Sequence, residues 1–265
     1  MDVQVAIFVV VSVIMACASF HDQRSRKVPD ICPKLLFLLA AVQLFLVYDW
    51  LPAVIVAFGY LMVYMYVFTR WLEGRILYVV LAAGVLALIF AWFRFGIPGP
   101  LITAVLFILF LFMFTAGFMI GGGDVKVLIG LSMLYPTYPD FGGMIWMNIV
   151  PYDLVFNPVL ATMVPALLLT MIWMIPVWAI NIRTGTGTIS SCMMDVKVAK
   201  HSFVYPAVGR RYMFRKEEDI RAYFNLMEKS GEKTVAVTPM IPFVVPLTIA
   251  FLLTMILGSP FFALI

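Results

Sequence analysis

Eight apolar stretches, most of them near the roughly 20 residues that cross a bilayer as a helix, leave this chain few alternatives. They cover 3–20, 34–50, 53–69, 76–95, 97–120, 125–135, 158–180 and 241–257. In lipid no water is present to bond backbone N–H and C=O groups, so each stretch must satisfy them internally, as a helix. Of the 265 residues, 64% are hydrophobic and 12% charged, against about 25% charged in soluble domains, and the mean hydropathy is +1.04. The expectation is an all-α polytopic membrane protein of about eight transmembrane helices, resident in the cell membrane and in contact with its lipid.

Charge sets the orientation. Met1 and Asp2 lack the basic flank of a cleaved signal peptide, so the first stretch is expected to remain. It ends in His21, Asp22, Arg24, Arg26 and Lys27, a basic loop that belongs inside. Asp49-Trp50-Leu51-Pro52 and Gly96-Ile97-Pro98-Gly99-Pro100 read as outer turns, and the loop at Arg70, Glu73 and Arg75 as an inner one. With both termini outside, every one of the 18 Lys and Arg residues except Arg94 falls on the inner face. Topology thus accounts for the net charge of +4 without a nucleic-acid partner. Val125–Tyr135 offers only about 16 Å of helix at roughly 1.5 Å per residue, so its crossing is expected to draw on the Gly, Pro and aromatic residues of 136–157.

One region has soluble composition, from about Arg183 to Thr238. It opens with the flexible run Thr184–Thr188 and holds an amphipathic helix near Lys216–Ser230, stopped by Gly231. Thr234–Thr238 and Met194–Tyr205 are expected as short strands. The resulting organisation is a transmembrane domain at 1–182, a small cytoplasmic α+β segment at 183–238 and a last membrane helix at 239–265. Cys17, Cys32 and Cys192 show no paired spacing, so no disulfide framework, metal or cofactor is expected. There are no internal repeats of the kind that mark duplicated transporters.

Between the fifth and sixth stretches stands Gly121-Gly122-Gly123-Asp124-Val125-Lys126. Each glycine costs about 1 kcal/mol in a helix relative to Ala, so the run is expected to supply positive φ and room for a close neighbour. Counting crossings puts Asp124 on the same face as Asp22. Two carboxylates within about 3 Å of each other cannot both ionise, and such a pair hydrolyses peptides without metal or nucleophilic side chain. The bland alternative for Asp22 is a loop acid paired with Arg24 or Arg26. Glu217, Glu218, Asp219, Glu228 and Glu232 read as a solvated face. His21 has no Ser or Cys partner in a recognisable motif. From a different class, the two acids would suit an ion- or proton-coupled transporter, although carriers belong near mid-membrane and these lie at helix ends.

Asp22 to Asp30, with Val28-Pro29-Asp30 at its end, resembles the D-x5-(I/L/V)-P-(D/N) signature of type IV prepilin peptidases. Gly121 to Lys126, with Gly130 beyond, resembles their G-x-G-D-x-K signature, and Thr238 to Pro246 is similar to their closing segment. The layout is most similar to the archaeal preflagellin peptidases, the third and fourth stretches looking like an addition to six-span members. The resemblance implies an aspartic endopeptidase with Asp22 and Asp124 as its catalytic pair. Gly121, Gly122, Gly123 and Lys126 would shape the site, without cofactor. The implied substrates are preflagellins or prepilins with a short basic leader before a hydrophobic helix, cut at the cytoplasmic surface. The paired cysteines of bacterial relatives that also N-methylate the product are missing, so no methyltransferase activity is expected. Pro165-Ala166-Leu167 resembles a motif of presenilin-like intramembrane proteases, which form the alternative. For a basic leader the nearby acids are Asp30 and Glu73; against that, Asp30 reads as a helix cap and Glu73 as a partner of Arg70 or Arg75.

Overall fold

The computed structural model describes residues 3–25, 27–68, 75–115, 122–137, 157–184, 192–202, 204–207, 217–239 and 242–257. Glu73, Gly121 and the expected exit at 185–188 lie outside them. The elements are α1 (Val3–Ser25), α2 (Ile31–Val47), α3 (Trp50–Phe68), α4 (Arg75–Phe95), α5 (Pro98–Thr115), α6 (Gly122–Leu134), α7 (Pro158–Thr184), β1 (Cys192–Asp195), α8 (Val196–His201), β2 (Val204–Pro206), α9 (Glu217–Lys229), β3 (Thr234–Pro239) and α10 (Val244–Leu257). They form two compact units, one of Met1–Ala166 with Val244–Ile265, the other of Leu167–Phe243. The division falls inside α7, ahead of the expected boundary at 183, because one unbroken helix runs through that boundary.

In the first unit α1, α3 and α4 are long and apolar enough to cross a membrane. Shorter apolar helices cover Ile31–Val47, Pro98–Met113, Pro158–Ile172 and Val244–Ile256. Val13, Leu46, Phe58, Val79, Phe93 and Phe112 stand exposed on these helices, an apolar exterior far beyond what a water-soluble surface carries. The protein is a helical membrane-associated protein. The outer turn expected at Asp49–Pro52 is shorter than its sequence indicates: α3 already starts at Trp50, and Pro52 sits in its first turn, where a missing N–H leaves no helical bond unmade. Gly96, at φ +68°, closes α4 before Pro98 opens α5.

The interior is organised around α6. Val125 and every residue from Val127 to Leu134 are buried, as befits a helix apolar on all sides. Its last carbonyls therefore have no solvent to turn to. Tyr60 Oη donates to Met133 O at 3.0 Å and Thr103 Oγ1 to Ser132 O at 3.2 Å. Asn157 Nδ2 donates to Tyr135 O at 3.2 Å and Pro136 O at 2.6 Å. The helix stops at Leu134, and the segment expected to complete its crossing, 138–156, lies outside the described residues. On another side a Cβ at Gly130 would sit 2.9 Å from Leu36 Cβ, so α2 packs close against α6.

The second unit has a three-stranded antiparallel sheet of order β1-β3-β2. Val235 and Val237 of β3 join Val196, Ala199, Val204, Ile220 and Phe224 in its core. Ile220 and Phe224 stand four apart, one helical turn, which is why α9 is amphipathic. Gly231 takes φ +82° just past its end. The α+β character agrees with expectation, but Met194–Tyr205 is not one strand. Asp195 accepts the Lys197 N–H at 2.8 Å and caps α8, which interrupts the run.

The α3–α4 hairpin relies on two glycines. A Cβ at Gly84 would lie 2.9 Å from Met62 Cβ and 3.1 Å from Gly59 O. Small residues that let backbones approach in this way are how lipid-embedded helices pack. Gly84→Ile should lower stability by roughly 1–3 kcal/mol, the range for overpacking, measured by thermal unfolding in detergent against Gly122→Ala, where an added Cβ meets nothing within 4 Å.

Candidate active site

Asp22 lies in the last turn of α1 and is only 5% exposed. Its Oδ2 accepts the Val244 N–H at 2.9 Å. Val244 is the first residue of α10, so this N–H is one of the donors a helix leaves unpaired at its start, and the positive end of the helix dipole points at the carboxyl group. The contact is held in register by a polar seam one turn away. Ser19 Oγ donates to Val244 O at 3.2 Å and lies 2.7 Å from Thr248 Oγ1, which donates to Met15 O at 3.3 Å.

Asp124 occupies the first turn of α6, again at a helix N-terminus. Part of its surface is exposed, yet protein atoms surround the carboxyl group closely enough to push its pKa from 3.8 up to about 7. Burial is the main cause and the negative charge of Asp22 the second. The two acids, 102 positions apart in sequence, thus act on each other electrostatically. One acid accepts the first N–H of α10 and the other stands in the first turn of α6.

The glycines serve this arrangement differently from what was expected. Gly122 and Gly123 are helical, and among the described residues only Gly96 and Gly231 have positive φ. A Cβ at Gly122 would meet nothing within 4 Å, whereas one at Gly123 would sit 3.0 Å from Val28 Cβ. The close neighbour admitted by the glycine run is therefore the linker between α1 and α2.

Lys126 and Asp30 are joined to each other. Lys126 Nζ donates to Asp30 Oδ1 at 2.7 Å and stands 4.7 Å from the centre of the Phe68 ring. Asp30 does not cap α2: its backbone is already helical, at φ −58° and ψ −19°, and its side chain makes no cap hydrogen bond. A cap must stand outside the helix to reach back to its first N–H groups. His21 is exposed and packs edge-on against Phe20. Among the described residues no cluster of three or more His, Cys, Asp or Glu is arranged to hold a metal.

Sequence reasoning missed Ser19, Thr248 and the Val244 N–H. The available signal was Pro246, which suits the first turn of a helix and so marks a helix start near Val244. That this start lies on Asp22 is a tertiary fact.

Folded Asp124 keeps its proton up to about 7, whereas the unfolded chain releases it near 3.8. The folded state thus binds the proton more tightly across that window, and stability falls as pH rises through it. Asp124→Asn has no such proton. Its melting temperature relative to the wild type should therefore climb by several degrees between about pH 5 and about pH 8, read by thermal unfolding at both pH values.

Comparison of the chain with protein-family models gives no match, and a search of curated proteins finds no significant similarity.

Proposed function

We propose that this protein is a membrane aspartic endopeptidase that removes the short basic leader of preflagellin or prepilin-like proteins at the cytoplasmic membrane face. The observation that carries the reading is the electrostatic coupling of Asp22 and Asp124, in two segments that each resemble a signature of that family. The eight-span, multi-pass arrangement with both termini outside belongs to the same proposal. Its support is the placement of Lys and Arg in the inner loops.

The environments of the two acids divide their roles. In this reading Asp22, which accepts the first N–H of α10, serves as the carboxylate, and Asp124, whose pKa burial and the charge of Asp22 raise, serves as the acid. Asp22 takes a proton from a water held between them as the water oxygen bonds to the scissile carbonyl carbon. Asp124 gives its proton to the carbonyl oxygen. The tetrahedral intermediate collapses when the carbonyl re-forms and the C–N bond breaks. The leaving nitrogen collects the proton held by Asp22, and the hydroxyl returns one to Asp124. Each carboxyl group ends as it began, and no cofactor takes part. A presenilin-like protease shares this chemistry. Acids at the ends of α1 and α6 favour a cut at the leader junction over one deep within a substrate helix.

The test is incubation of membranes containing the protein with a preflagellin bearing a basic leader, scored by loss of the leader. Asp22→Asn and Asp124→Asn should each abolish cleavage while leaving the protein in the membrane, because the pair shares one proton. Glu218→Gln on α9 should cleave like the wild type. Full activity in either Asp variant would refute the assignment.

The pH profile gives a second check. The working form needs Asp124 protonated, so cleavage should fall as pH rises through about 7, where that proton is lost. Activity that is flat or rising across that range would place the acid elsewhere.

A further inference from the structure

We infer that Asp30 and Lys126 form a latch that fixes the rotation of α6 about its own axis and so aims Asp124 at Asp22, a positioning role that rests on the endopeptidase reading. Gly123, Lys126 and Gly130 recur at three and four residues and share one face of α6. Val28, Asp30 and Leu36 lie against that face in the same order. The two glycine contacts bring α2 and its linker close, but they are apolar and have no preferred direction. Of the three contacts on this face, the one between Lys126 Nζ and Asp30 Oδ1, at 2.7 Å, is directional, and it holds the N-terminal half of α6, whereas the hydrogen bonds from Tyr60 and Thr103 hold its C-terminal end.

The cation is held from a second side. Its nitrogen stands 4.7 Å from the centre of the Phe68 ring, and Phe68 is itself stacked on Tyr64 at 4.8 Å and edge-on to Phe37 at 5.3 Å. Lys126 is thereby held between the α1–α2 linker and the end of α3. Lys34 of α2 also approaches Phe68, at 6.0 Å, and among the described residues Asp30 is the carboxylate paired with Lys126.

Asp124 stands about 100° round the helix from Gly123, off the latch face, and the acid that acts on it electrostatically is Asp22 of α1. A side-chain tip stands roughly 6 Å from a helix axis, so a turn of about 10° would carry the carboxyl group about 1 Å. Displacements of that size at reacting groups cost up to about a hundredfold in rate. The pair is partly exposed, with side-chain exposures of 25% for Lys126 and 61% for Asp30, and such pairs add little to global stability. Variants should therefore fold and reach the membrane.

The experiment has two arms. In the first, cleavage of a basic-leader preflagellin is measured for Asp30→Asn, Lys126→Met, the double variant and the conservative Asp30→Glu. Each single neutral variant should lose roughly tenfold in kcat with KM within about twofold of wild type, the double variant should be no worse than either single one, and Asp30→Glu should recover most of the rate. A raised KM with unchanged kcat in Asp30→Asn would instead make Asp30 a leader contact and overturn the latch, as would additive losses in the double variant. The second arm needs no activity. The protonated-carboxyl infrared band assigned through its loss in Asp124→Asn is titrated in wild type and in the double neutral variant, which has the same net charge. Asp22 of α1 is the acid whose charge acts on Asp124, α10 brings a backbone donor and no charged side chain, and Lys34 of α2 is unchanged. The midpoint should move below its wild-type value as the two acids separate, and an unmoved midpoint would overturn the latch. If no variant or wild type cleaves the substrate, the endopeptidase reading fails, and the titration still decides the latch.

Discussion

Everything in the first unit follows from having to enclose α6. A helix apolar on every face cannot sit at a surface between water and protein without exposing one side, and this one is too short to carry both ends into solvent. Tyr60, Thr103 and Asn157 come from three other segments to satisfy the carbonyls at its C-terminal end. Its other end presents the N–H groups that a helix itself leaves unbonded and a positive dipole, and there the chain places Asp124. One constraint, an interior helix with two ends to satisfy, thus yields both a polar plug at one end and an acid at the other.

A single acid buried in this way would be held neutral and inert. The second acid, Asp22, changes that, because its charge can be accommodated where α10 begins. The Ser19–Thr248 seam keeps the α10 start in register with α1, so the N–H of Val244 reaches the carboxyl group rather than the solvent. The two chemically identical side chains thus stand in different surroundings, one accepting a backbone N–H and one raised in pKa by burial, and asymmetry of this kind is what the proposed proton-sharing pair requires. The glycines and the Asp30–Lys126 ion pair bring α2 and its linker close against α6.

The second unit follows different rules. Its sheet and helices bury a compact core of Val, Ile and Phe side chains, with charged residues on the outer faces of α9, as in a water-soluble domain. That an α+β unit of this kind interrupts a series of apolar helices agrees with the composition change near residue 183 in the sequence, though its edge as a packed body falls earlier, within α7.

The sequence by itself determined the helical character of the chain and singled out two acids as candidates. Hydrophobic run length fixes where a helix must form in lipid, because unsatisfied backbone there is too costly, and positions near 3–20, 34–50 and 76–95 needed no tertiary information. Asp22 and Asp124 stood out because the short segments that carry them resemble two signatures of one peptidase family, a pattern local to each segment. Tertiary structure alone decided which groups meet. Asp30 reads in sequence as a helix cap or a leader contact, yet in the fold it pairs with a lysine 96 positions away. The glycine run suggests unusual φ, yet Gly123 is an ordinary helical residue whose missing side chain makes room for Val28. The Val244 N–H could not be read as a functional group at all. The physical reason is common to all three: local pattern records what a segment needs along its own axis, whereas rotation, depth and neighbour are set by the packing of helices distant in the chain.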